Sequence, residues 1–160
     1  MAYQSGINNG TLVFGGNGGG INGTQLYTPI GLYYDTFLNS LFIANFRAHN
    51  IVQYSFGATN GTLVAGNRNG TAGATSTSLN YCIDVTLDPM GNIYVVDRSN
   101  HRIQFFLRGE VNGTTIAGIT GVSTTSDTTL NTPWAVKLDS QLNLYVADTS
   151  NNRIQKFLRY

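Results

Sequence analysis

The stretch at 87–104, Leu-Asp-Pro-Met-Gly-Asn-Ile-Tyr-Val-Val-Asp-Arg-Ser-Asn-His-Arg-Ile-Gln, returns at 138–155 as Leu-Asp-Ser-Gln-Leu-Asn-Leu-Tyr-Val-Ala-Asp-Thr-Ser-Asn-Asn-Arg-Ile-Gln. A worn third copy runs from Tyr34-Asp35 through Leu41-Phe42-Ile43-Ala44-Asn45 to His49-Asn50-Ile51-Val52-Gln53, with one extra residue in its first turn. Asn-Gly-Thr marks at 9, 60 and 112 give the period, 51 and then 52 residues. That length accommodates one complete supersecondary unit per repeat and fits a propeller blade better than a short solenoid rung.

Within each unit the apolar residues follow a period of two or short runs rich in Val, Ile, Tyr and Phe, and helical periodicity is absent. In the second unit the pattern predicts strands from Cys82 to Leu87, Ile93 to Val96, Arg102 to about Leu107, and Thr114 to Gly118. Pro89 presets a type I turn, Gly91 suits the left-handed position that follows, and Asn112-Gly113 reads as a hairpin turn. The polar connectors at 15–28, 66–81 and 119–132, rich in Gly, Thr, Asn and Ser, read as loops. The expected fold is all β: four-stranded antiparallel blades packed face to face as a β-propeller.

The ends are out of phase with the blades. Tyr3 aligns with Tyr54, Phe106 and Phe157, so 11–14 is predicted to be an outer fourth strand without its sheet. The last blade lacks that same strand. The division expected is 1–28 as outer strand and connecting loop, 29–66 as blade 1, 82–118 as blade 2, and 133–160 as blade 3 without its outer strand. Three blades are too few to close a ring. The expectation is an open arc, a fragment of a longer propeller, or a half-ring that pairs with a second copy into a six-bladed homodimer.

Composition excludes some classes. Nine Lys+Arg against eight Asp+Glu leave a formal net charge of +1, with no overall basic field for nucleic acid or membrane binding. The single cysteine, Cys82, cannot form an internal disulfide and reads as a small buried strand residue. No run of about 18 apolar residues spans a membrane. Nor does the N-terminus read as a signal peptide, although five Asn-Gly-Thr sequons would be acceptors in a secreted chain. These signals conflict and leave the compartment open. Asn9, Asn60 and Asn112 have a turn explanation, whereas Asn22 and Asn69, in long loops, are the stronger glycosylation candidates.

The two well-kept units resemble the NHL-repeat family. The residues that carry the resemblance are Pro133-Trp134-Ala135-Val136-Lys137-Leu138-Asp139, Leu144-Tyr145-Val146-Ala147-Asp148 and Asn152-Arg153-Ile154-Gln155-Lys156-Phe157. The second unit has Cys82 where Pro would be, and the first substitutes Asn45 for the Asp and Asn50 for the Arg. The resemblance implies a propeller, commonly six-bladed, acting as a binding platform. Relatives include recognition ends of RING-type ubiquitin ligases, RNA binders, extracellular proteins and, more rarely, metal-dependent lyases. No RING, B-box or coiled-coil segment is present in these residues.

Asp97 with Arg102, and Asp148 with Arg153, flank the turn between second and third strands and are expected to form structural ion pairs. If exposed, each would contribute about 0.2–1 kcal/mol. Strand alternation sends those turns and the long connectors to one face, which collects Arg47, His49, Arg68, Arg98 and His101, with Tyr81 and Trp134 beside it. The reading is a face that binds a protein or peptide, non-enzymatically and without a cofactor. The alternative is solvated turn charges with Trp134 buried like its counterparts Ile30 and Ile83. A weak, salt-dependent RNA contact is a further reading. A lyase or hydrolase half-site would need metal at His49 and His101, and the third unit carries Asn152 there. Asp35, Asp88 and Asp139 belong to turns at the opposite face, so no catalytic carboxylate pair can be located.

Overall fold

A computed structural model describes residues 10–159, and within them the chain forms three antiparallel sheets. Blade 1 comprises β1 (Pro29–Asp35), β2 (Ser40–Asn45), β3 (Asn50–Ser55) and β4 (Thr62–Gly66). Blade 2 comprises β5 (Cys82–Leu87), β6 (Ile93–Asp97), β7 (Arg102–Phe106) and β8 (Gly113–Gly118). Blade 3 has β9 (Ala135–Leu138), β10 (Leu144–Asp148) and β11 (Arg153–Phe157). In each sheet the strands lie in sequence order. The result is an open arc of a β-propeller. No described helix is long and apolar enough to cross a membrane.

Strand alternation produces the stacking. Along β6, Val95 points toward blade 1 and joins Phe42, Ala44, Ile51, Cys82, Val85 and Phe106 in one core cluster. Its neighbour Val96 points the other way and joins Ile83, Ile103, Val136 and Val146 in the second. Each Val, Ile or Phe removed from water in these layers contributes about 1.5–3 kcal/mol. The first strands pack side by side, and there the backbones approach so closely that a Cβ on Gly31 would stand 2.3 Å from the Ile83 carbonyl oxygen. Asp84 ties β5 to β9, its Oδ2 accepting the Val136 N–H at 3.0 Å.

The first hairpins of blades 2 and 3 are set by an aspartate. Oδ1 of Asp88 accepts the N–H groups of Met90 and Asn92, and Oδ1 of Asp139 those of Gln141 and Asn143. Gly91 takes the left-handed conformation there, φ +83°, as the sequence predicts. The turns between second and third strands contain a feature that the sequence pattern does not specify, single 3-10 turns at Phe46–Ala48, Arg98–Asn100 and Thr149–Asn151. Each closes on a left-handed residue, His49, His101 or Asn152.

Two expectations fail. No strand forms at 11–14; instead the Phe14 ring stacks on Tyr54 of blade 1, centroids 4.5 Å apart, and covers apolar surface that no preceding blade covers among the described residues. Asn-Gly is not the apex of the outer hairpins either. The left-handed residues are Gly57 and Gly109, while Gly61 and Gly113 are small for contact: a Cβ on Gly113 would lie 2.7 Å from the Phe106 ring. The turn explanation for Asn60 and Asn112 is lost with it. Tyr3 and the Asn9 sequon lie outside the described residues.

Candidate functional site

The 3-10 turns and the connectors before the first strands meet on one face, held by repeated backbone bonds. Arg47 N donates to Tyr27 O at 3.0 Å, and Ser99 N and Ser150 N donate to Asn80 O and Asn131 O at 3.1 Å. Each second-strand terminal residue adds a side-chain bond. Oδ1 of Asp97 accepts the Asn80 N–H at 2.7 Å and Oδ1 of Asp148 the Asn131 N–H at 2.6 Å, and Asn45 accepts that of Tyr27 in the same way.

Across this face runs an open groove of about 520 Å³ lined by Tyr27, Phe46, Arg47, Tyr81, Arg98 and Ser99. Arg47 lies over the Tyr27 ring, 5.8 Å from its centroid, and Arg98 over Trp134 at 5.4 Å. Phe46 and Tyr81 pack with ring centroids 4.7 Å apart. Neither arginine has a carboxylate within salt-bridge reach among the described residues. The Nε of Arg98 is buried and has no hydrogen-bond partner among them. Trp134 is 49% exposed, so it does not share the burial of Ile83 (1%) and is closer to Ile30 (45%).

Not all seven face residues share the groove. Arg68 lies apart, lining a smaller cavity beside Asn45 and Asn50. His49 is buried, and its Nδ1 accepts the Tyr81 N–H at 2.9 Å. His101 does the same to Thr132 at 3.0 Å. Burial lowers both imidazole pKa values from their ordinary value, and at His101 the Arg98 charge lowers it further against the pull of Asp148 and Asp97. Both histidines therefore act as neutral latches between a blade and the next connector. No group of three His, Cys, Asp or Glu side chains gathers among the described residues.

Arg102 Nε donates to Asp97 Oδ2 and Arg153 Nε to Asp148 Oδ2, both at 2.8 Å. The first pair is buried, so the exposed-pair magnitude does not apply to it. The Arg102 guanidinium also donates to the carbonyls of Ala74, Thr75 and Ser78, cross-linking the connector to the blade. Burial pushes the Asp97 carboxyl up despite its hydrogen bonds. At Asp148 burial acts in the same sense but is outweighed by bonds from Asn131, Asn151, Arg153 and Gln155, which hold it below the usual carboxylate range. Cys82 is fully buried, its thiol donating to Asn50 O at 3.3 Å, and desolvation drives its pKa up. The sequons Asn22 and Asn69 are exposed.

The NHL repeat family matches at 79–106 and 130–157. No curated protein matches the chain. Among solved structures, a protein of unknown function from Bacteroides thetaiotaomicron is 16% identical with a TM-score of 0.68, over 80% of this chain and 34% of that one. An auxiliary nutrient binding protein from the same species is 18% identical with a TM-score of 0.64, over 78% and 36%. Virginiamycin B lyase from Staphylococcus aureus is 11% identical with a TM-score of 0.54, over 82% and 41%. At such identities these chains share the fold alone, and this chain spans about a third of the length of the first two.

Proposed function

We propose that this chain, a member of the NHL-repeat family, is a non-enzymatic propeller scaffold that binds an acidic peptide segment of another protein in the groove between the first two 3-10 turns. The observation that carries the reading is the buried, partnerless Nε of Arg98. A buried guanidinium donor without an acceptor costs about 1–3 kcal/mol or more, and a peptide carboxylate paired with the groove-facing part of the same guanidinium would offset part of that cost.

Three features support a peptide. Arg, Tyr and Trp are the residue types that dominate protein interfaces energetically. The arginines are already stacked on rings, so less side-chain freedom is lost when a carboxylate docks. The apolar walls, Phe46 and Tyr81, offer contact area beside the charges. RNA is less well served, since Arg68 lies outside the groove and two cations remain on a face of a near-neutral chain. The share of relatives' length spanned leaves room for this binding unit to be one part of a larger recognition protein.

Selection of a random dodecapeptide library on the immobilised chain tests the reading. Enriched peptides should carry Asp or Glu beside an apolar residue, and Arg47→Ala and Arg98→Ala should each weaken binding about tenfold, equivalent to 1.4 kcal/mol. Failure to enrich any peptide, binding by both variants as tight as that of the natural chain, or displacement of the peptides by single-stranded RNA at low salt would overturn it.

A further inference from the structure

Blade 1 has lost both members of the buried ion pair, and the space they occupied elsewhere is open. Asn45 stands where blade 2 has Asp97 and Asn50 where it has Arg102, in the same cross-strand register. The connector is kept: Gln25 N donates to Asn22 O as Ser78 N does to Thr75 O. Ile21, Asn22 and Gln25 therefore occupy the positions whose carbonyls hold the Arg102 guanidinium in blade 2, namely those of Ala74, Thr75 and Ser78. In blade 1 these residues line a cavity of about 110 Å³, together with Asn45, Asn50 and Arg68. Arg68 takes the sequence position of Thr120, whose hydroxyl completes the Arg102 cradle.

The cavity is polar and unsatisfied. Asn45 is 1% exposed and Asn50 3%. Oδ1 of Asn45 is engaged by the Tyr27 N–H, so its Nδ2 stands where the second oxygen of Asp97 receives Arg102. That Nδ2 and the Oδ1 of Asn50 have no partner among the described residues. Each such group loses about 1–3 kcal/mol by remaining unpaired. The vacated slot thus presents a donor where a cation once met an acceptor, with an acceptor opposite and the Arg68 charge at its margin.

We propose that this cavity binds a neutral primary carboxamide. Its carbonyl oxygen accepts from Asn45 Nδ2, and its NH₂ donates to Asn50 Oδ1 and the connector carbonyls. A guanidinium would set its donors against Asn45 Nδ2 and Arg68. A carboxylate would set its oxygens against the connector carbonyls, which only accept. The volume is several times the roughly 10–15 Å³ of probe space that one water needs, enough for an amide head group. The group is either a free small amide or the side chain of Asn or Gln in a polypeptide. This site is separate from the groove between the 3-10 turns, and neither reading depends on the other.

The test is a titration of the ¹⁵N-labelled chain, following the side-chain amide resonances of Asn45 and Asn50. Acetamide should shift both saturably, whereas acetate and guanidinium chloride at the same non-denaturing concentration should not. The double variant Asn45→Asp with Asn50→Arg, which rebuilds the pair that blades 2 and 3 contain, should lose the acetamide response. A capped tripeptide with a central Gln, compared with its Glu counterpart, separates the two sources, and a response to either acetamide alone or the Gln peptide supports the site. A larger response to guanidinium or acetate, or no saturable shift with any amide, would overturn it. The unmodified chain supplies these outcomes even if the double variant does not fold.

Discussion

The imidazole of His101, on blade 2, accepts the backbone N–H of Thr132, on the chain leading into blade 3, with Nδ1 and N 3.0 Å apart. His49 repeats the relation with Tyr81 one blade earlier, at 2.9 Å. A histidine at a left-handed 3-10 terminus thus ties each of the first two blades to its successor.

Both latches require an unprotonated Nδ1. The folded pKa of each lies below the ordinary value of 6.5, chiefly through burial, so the unfolded chain takes up protons first as pH falls. Their contribution to stability is full above pH 6.5 and is lost as pH drops below it toward the folded values. The thermal midpoint of the natural chain should therefore fall between about pH 7 and about pH 5.5. The difference should shrink in the double variant His49→Asn with His101→Asn, which copies the Asn152 found at the same place in blade 3.

Removing the Arg102 side chain should be severe. The pair with Asp97 is nearly inaccessible, and the same guanidinium holds three connector carbonyls. Arg102→Leu leaves a buried carboxylate facing apolar atoms and should cost about 3–5 kcal/mol in chemical denaturation. Arg153→Leu, in a pair whose arginine is 25% exposed, should cost clearly less.

Gly31→Ala tests the contact between blades 1 and 2. Its new methyl would sit 2.3 Å from Ile83 O and 2.7 Å from the Asp84 Cα, both backbone atoms that cannot rotate away. A loss of about 1–3 kcal/mol in chemical denaturation is expected from overpacking. Gly109→Ala, with nothing within 4 Å of the new atom but a φ of +83°, should show only the smaller cost of the left-handed backbone.

The blade pattern was legible because its causes are local: alternation in Ile93–Asp97, the Asp88 turn and the left-handed Gly91 each follow from a few neighbouring residues. The Asp97–Arg102 pair was legible from spacing, but its burial was not, since the connector that covers it lies more than twenty residues away. The histidines looked like face residues because a backbone N–H about thirty residues onward leaves no mark in sequence. Arg68 lines a different cavity from the other face residues for a related reason: membership of a loop does not fix where a long side chain points. The sequence is compatible with either burial or exposure of Trp134, and only the absence of a covering residue among those described decides for exposure.

Trp134 is the single tryptophan in the chain and packs against Arg98, a residue of the groove wall, with the guanidinium 5.4 Å from its ring centroid. Its fluorescence therefore reports directly on whether the groove is the binding site. Titration with a library-selected acidic peptide should change the emission saturably, with the same midpoint as binding measured by calorimetry, and Arg98→Ala should abolish the coincidence. Saturated binding that leaves the Trp134 emission unchanged would contradict the assignment of this face.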